Sequence, residues 1–144
     1  MNVTDIIAQL PYSKPFLFVD ELLHVDENGS IGTYTFDENL DFYKGHFKEK
    51  PVTPGVILTE TMAQIGLVCL GIYLLNNELK NTQIAFTSAD MQFLKPVYPR
   101  EKVTVISQKV YFRFGKLKCN IMMKNEAEQE VCRGTLAGIS IPEL

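Results

Sequence analysis

The stretch from Val56 to Leu75 is the strongest constraint on what this chain can become, because it is almost continuously apolar. It approaches the length of a membrane span, yet it carries Glu60 and Gln64, and the sequence holds no second candidate span. A buried core helix is the better reading. Thr53 offers an N-cap, Pro54 suits the first helical position and Gly55 follows it, while Asn76-Asn77 offer an end, so the pattern predicts a helix from Pro54 to Asn77. A helix that is apolar on nearly every side needs protein wrapped around it, not packed on one face.

The rest of the chain supplies that wrapping as strands. Val3, Ile6, Ile7 and Leu10 are spaced for a short amphipathic helix, after which Phe16 to Val25 and Ile31 to Phe36 read as strands joined at Asn28-Gly29, a two-residue hairpin signal. Beyond the helix, Gln83 to Leu94, Lys102 to Phe114, Lys116 to Lys124 and Val131 to Ile141 read as four more. Leu117, Cys119, Ile121 and Met123 alternate most clearly with their neighbours. The order predicts an α+β fold in which an antiparallel sheet of about six strands curls around one long helix. A chain of 144 residues suits one such domain, spanning 1–144, and no repeat or linker interrupts it.

Composition narrows the function. With 46% hydrophobic and 22% charged residues the chain reads as globular, and a net charge of −3 argues against nucleic acid as a partner. Cys69, Cys119 and Cys132 form no CxxC pair and read as reduced, buried thiols. With two histidines, His24 and His46, and no HExxH or Cys/His cluster, no metal and no cofactor is expected. The opening Met1-Asn2-Val3-Thr4-Asp5 lacks the basic and apolar regions of a signal peptide, which makes the cytoplasm the expected location.

The chemical candidates gather around the connection from Asp37 to Thr53, long for a compact domain. It holds His46, and Glu60 follows in the apolar helix. A capping-box acid would stand at Val56, so Glu60 is not one, and the dipole effect fades within the first turn. A buried hydrogen bond, an exposed patch of helix or a functional carboxylate remain as readings, since buried carboxylates are expensive unless paired. Gln64 lies one turn on, on the same face, where it could orient the carboxylate. His46 reads either as a loop histidine satisfied by solvent or backbone, or as a proton-transfer group; His24 reads as a structural or surface histidine. Lys44, Lys48 and Lys50 flank His46 and read either as solvated loop residues or as a local basic cluster that steers an acidic partner.

As a group, Gly45-His46-Phe47, Pro51-Val52-Thr53-Pro54-Gly55-Val56 and Glu60-Thr61-Met62-Ala63-Gln64 resemble the signature of the 3-hydroxyacyl-[acyl-carrier-protein] dehydratases of fatty acid synthesis. The likeness extends upstream through Leu10-Pro11 and Pro15-Phe16-Leu17-Phe18-Val19-Asp20 and downstream through Phe93-Leu94-Lys95-Pro96-Val97-Tyr98-Pro99, covering nearly the whole chain. It implies the hotdog fold, a sheet around a central helix. It also implies dehydration of a 3-hydroxyacyl thioester, with His46 taking the α-proton and Glu60 helping the hydroxyl leave. Gly55 and Val56 would offer backbone N–H groups to the enolate oxygen, and Phe47 and Gln64 would complete the substrate site. The implied partners are acyl carrier protein, docking near Lys44, Lys48 and Lys50, and a second copy of the chain, because family members join the two catalytic groups across a dimer and often assemble further as a trimer of dimers. No membrane insertion is implied.

The chain departs from the family pattern in three places: Tyr12-Ser13 stands for the usual His-Arg, Lys48-Glu49 for Pro-Gly, and Arg100-Glu101 for Gly-Asp. These bear on chain length, carrier docking and pathway, so a specialised lipid or polyene dehydratase stands beside the housekeeping enzyme. Glutamate at position 60 favours the plain dehydratase over the dehydratase-isomerase. A hotdog acyl thioesterase and a non-catalytic hotdog subunit are the alternatives.

Overall fold

Helix α1, Val3–Ala8, forms where the apolar spacing puts it, and its start is fixed by a capping box. The Asn2 side chain accepts from Asp5 N at 2.9 Å while the Asp5 carboxylate accepts from Asn2 N. Ile6 and Leu10 enter the core. The computed structural model describes residues 2–76 and 82–142.

Six strands make one antiparallel sheet: β1 (Glu21–Asp26), β2 (Gly29–Thr35), β3 (Thr82–Phe93), β4 (Lys102–Arg113), β5 (Lys116–Lys124) and β6 (Glu130–Pro142). Their order across the sheet is β1-β2-β4-β5-β6-β3, which makes β1 and β3 the edges. The alternation in β5 is real: Leu117, Cys119, Ile121 and Met123 are each at most 2% exposed, and their neighbours face outward. Burial pushes the thiols of Cys69 and Cys132 up to about 12 and that of Cys119 up to about 11, which leaves all three free cysteines as unreactive hydrophobes.

Most strand ends differ from the sequence reading by one or two residues, and the first hairpin differs for local reasons. The hairpin turn is Glu27-Asn28 rather than Asn28-Gly29, because Asp26 Oδ1 accepts from both Asn28 N at 2.8 Å and Gly29 N at 3.1 Å. Gly29 opens β2 instead, where a Cβ would lie 2.0 Å from the Ser107 carbonyl oxygen. The first strand begins at Glu21 and not at Phe16, because the backbone of residues 16–18 bonds to the central helix rather than to a strand.

That helix, α2, runs Gly55–Leu75. Its N-cap is Pro54, with φ −59° and ψ 140°, and Thr53 makes no cap; its hydroxyl is bonded to Tyr43 instead. Asn76 ends the helix in the left-handed conformation with φ 44°, and Asn77, the expected end, lies outside the described residues. Between two α-helical runs, Gln64–Cys69 is a π-helix. Wider turns of this kind leave carbonyls for outside donors, and the hydroxyls of Ser30 and Ser107 donate to Ile65 O and Gly66 O at 3.0 Å each. The sheet thus grips the helix through hydrogen bonds as well as through Met62, Ile65, Leu67, Val68 and Leu70, all buried. The length and hydropathy of α2 would allow a membrane crossing, but two thirds of its apolar window, 67%, is buried inside this protein.

Candidate active site

The connection before α2 is not a free loop. Residues Asp41–Lys44 form one turn of 3₁₀ helix, which the sequence reading lacks, and Tyr43 drops into the core at 6% exposed. Its phenol bonds Thr53 Oγ1 at 2.6 Å, and Thr53 N donates to Val97 O at 2.8 Å, so the segment is tied at both ends to the entrance of α2. His46 follows this turn, its N–H bonded to Phe42 O at 3.0 Å and its carbonyl accepting from Val52 N at 2.9 Å.

The ring of His46 is therefore held as well as placed. Its Nδ1 lies 2.8 Å from the Val52 carbonyl oxygen. A carbonyl only accepts, so Nδ1 carries a proton and, in the neutral ring, Nε2 carries the lone pair. Phe47 stacks on the imidazole with ring centroids 4.1 Å apart and is itself 59% exposed. His24, by contrast, bonds Asp26 at 2.8 Å on the exposed first hairpin, a surface position.

Glu60 is half-buried, and burial raises its carboxyl above the ordinary range, partly offset by a hydrogen bond from Gln64. Gln64 is fully buried with both ends of its amide in use. Its Oε1 accepts from Phe18 N at 2.8 Å, and its Nε2 donates to Phe16 O at 3.1 Å and to Glu60 Oε2 at 3.0 Å. The residue 16–18 backbone fixes which end is nitrogen, so a donor always faces Glu60. A pocket of about 180 Å³ opens at Glu60, walled by Tyr12, Phe16, Ala63, Leu67, Val68, Ile84 and Phe86.

No hydrogen bond among the described residues joins the two candidates. Each hydrogen-bonds to other groups, and His46 is not among the walls of the Glu60 pocket. Ile84 and Phe86 belong to β3, a twelve-residue sheet edge on which Phe86 and Phe93 are 43% and 51% exposed. At the head of α2, Val56 is 74% exposed, whereas the bare face of Gly55 is turned to Phe93, where a Cβ would lie 3.2 Å from the ring. Lys48 and Lys50 are exposed near His46; Lys44 is exposed too but shares its charge with Asp41 at 3.0 Å. The pocket walls Tyr12, Phe16, Ile84 and Phe86 escaped the sequence reading as site residues; only the unusual Tyr12 in a familiar motif pointed toward them.

A six-stranded antiparallel sheet wrapped around one long central helix is a hotdog fold, here with a held histidine and a half-buried carboxyl at the helix. The dehydratase heterocomplex ApeI:P from Xenorhabdus doucetiae shares it with a TM-score of 0.79 over 98% of this chain and 92% of that one, at 10% identity. The thioesterase HI1161 from Haemophilus influenzae shares it with a TM-score of 0.64 over 86% and 79%, at 18% identity. Sequence likeness is sharper. Residues 10–131 match the FabA-like domain. The 3-hydroxyacyl-[acyl-carrier-protein] dehydratase FabZ of Caldicellulosiruptor bescii is 33% identical over 94% of this chain and 95% of its own length, and that of Ehrlichia ruminantium is 41% identical over 72% of each. The chain belongs to this FabA-like family of 3-hydroxyacyl-[acyl-carrier-protein] dehydratases.

Proposed function

We infer that this chain converts a (3R)-3-hydroxyacyl-[acyl-carrier-protein] thioester to the trans-2-enoyl thioester, and that His46 and Glu60 carry the reaction. The observation that carries the reading is a held imidazole and a half-buried carboxyl, raised by burial, in a chain similar along most of its length to FabZ dehydratases. The α-proton is acidified by the thioester carbonyl, and Nε2 of His46 takes it. The C3–O bond breaks with a proton from Glu60, water leaves, and the C2–C3 double bond forms. Burial shifts the Glu60 carboxyl in the direction that favours an acid role. Gly55 and Val56 N–H stand at the positive end of α2, where an enolate oxygen would be stabilised. Phe47, stacked on the base, covers it against water.

A second copy of the chain completes the site. That the walls of the Glu60 pocket do not include His46 supports this, as does the long exposed β3 edge beside that pocket, a surface that proteins ordinarily cover. A homodimer is the minimum, and a trimer of dimers is the larger assembly of the same kind. The chain works as one domain over 1–144 in the cytoplasm. Acyl carrier protein approaches across Lys48 and Lys50, with Lys44 contributing less because Asp41 shares its charge. The test is mass spectrometry of a short series of 3-hydroxyacyl carrier-protein thioesters after incubation with the protein. Loss of water is expected; release of free carrier thiol would make it a thioesterase, and an unchanged series would make it a non-catalytic subunit.

A further inference from the structure

Among the walls of the Glu60 pocket, one other side chain carries a hydrogen-bonding group. Tyr12 lines it, while Phe16, Ala63, Leu67, Val68, Ile84 and Phe86 are apolar. The Tyr12 hydroxyl makes no hydrogen bond to another described residue, and it is not a sealed, unsatisfied atom either. Its ring is steadied by Phe16, with centroids 6.4 Å apart. Burial and the nearby Glu60 carboxylate push the phenol up to about 12, so it remains a donor throughout the neutral range. A free donor and a carboxyl therefore face one small apolar space of about 180 Å³.

We propose that Tyr12 is a substrate-positioning residue, whose phenol donates a hydrogen bond to the 3-oxygen of the substrate and holds it against Glu60 while the acyl carbons beyond C3 occupy the apolar walls. The assignment rests on the dehydratase reading above and adds a residue to it. Two donors on one oxygen, Tyr12 and protonated Glu60, weaken the C3–O bond more than one. A donor placed on a departing oxygen acts more strongly in the transition state than in the bound substrate, so its loss falls on turnover.

The test compares wild type, Tyr12→Phe and Tyr12→His on one 3-hydroxyacyl thioester, with the saturated acyl thioester of the same length as a competitive inhibitor. Tyr12→Phe keeps the ring and is expected to keep the thermal midpoint, lower kcat about 10- to 100-fold and leave the inhibitor's affinity unchanged, since the inhibitor has no 3-oxygen. Tyr12→His restores a donor and is expected to recover part of kcat. Wild-type kcat in Tyr12→Phe, or an inhibitor that weakens in step with KM, would reduce Tyr12 to a pocket wall and overturn the proposal while the dehydratase reading stands. A wild-type protein that removes no water would overturn both.

Discussion

Gln64 Nε2 donates to Glu60 Oε2 at 3.0 Å, and the other two bonds of the same amide go to the backbone of Phe16 and Phe18. One side chain thus joins the fold to the chemistry. The N-terminal segment, instead of pairing with a strand, pairs with a helix residue, and in doing so it orients the donor that faces the Glu60 carboxyl.

Replacing Gln64 should accordingly be felt twice. Gln64→Ala leaves Phe18 N and Phe16 O without their partner, and a buried unsatisfied group costs about 1–3 kcal/mol, so the denaturant midpoint should fall clearly. It also removes the bond that lowers the Glu60 carboxyl, so Glu60 should titrate at still higher pH. If Glu60 acts as the acid, activity declines as pH rises through its titration, and that alkaline limb should move upward in the variant. A midpoint and a pH profile both equal to wild type would refute the linkage.

Glu60 itself should trade stability for function. Its folded-state titration is raised by burial, so the native state binds the extra proton, and the contribution of Glu60 to stability is present below the ordinary carboxylate range and lost as pH rises through the folded value. Glu60→Gln removes that loss. The variant should melt higher than wild type above about pH 7, with the advantage shrinking as pH falls below the ordinary carboxylate range near about 4, while turnover drops by roughly 10²-fold or more. A variant that melts lower than wild type at neutral pH would contradict the sign.

Arg100 stands where the family pattern usually has glycine, and it takes φ +73°, a conformation that favours glycine. Its N–H donates to Phe36 O at 2.7 Å and its guanidinium to Glu38 at 2.6 Å, which together hold the turn before β4. The ion pair is exposed, so it contributes little. Arg100→Gly should therefore be more stable than Arg100→Ala by about 1 kcal/mol, because both lose the ion pair and only the alanine keeps the strain. Equal unfolding midpoints for the two would remove the backbone explanation.

Much of this was legible because the local signals agreed with the global ones. The apolar run fixed a buried helix, the alternation in β5 fixed its face, and Glu60 and Gln64, one turn apart, fixed their own contact. The parts that were not legible depended on partners distant in sequence. Phe16 to Phe18 have strand-forming side chains, but their hydrogen bonds go to Gln64, 46 and 48 residues away. Thr53 looked like a cap until Tyr43 claimed its hydroxyl. The π-helical run depends on Ser30 and Ser107, whose hydroxyls lie outside the helix altogether. Likewise the pocket walls Ile84 and Phe86 come from a strand that no motif near His46 or Glu60 could indicate.

The central claim is that one reaction is carried out by His46 of one subunit and Glu60 of its partner. His46→Ala and Glu60→Gln, each purified and each inactive, would be mixed, allowed to exchange subunits and assayed for water loss from a 3-hydroxyacyl carrier-protein thioester. In a mixed two-fold dimer one site carries both changes and the other carries neither, so equal mixing should restore about a quarter of wild-type activity. Verified mixed dimers that stay as inactive as their parents would contradict the shared site.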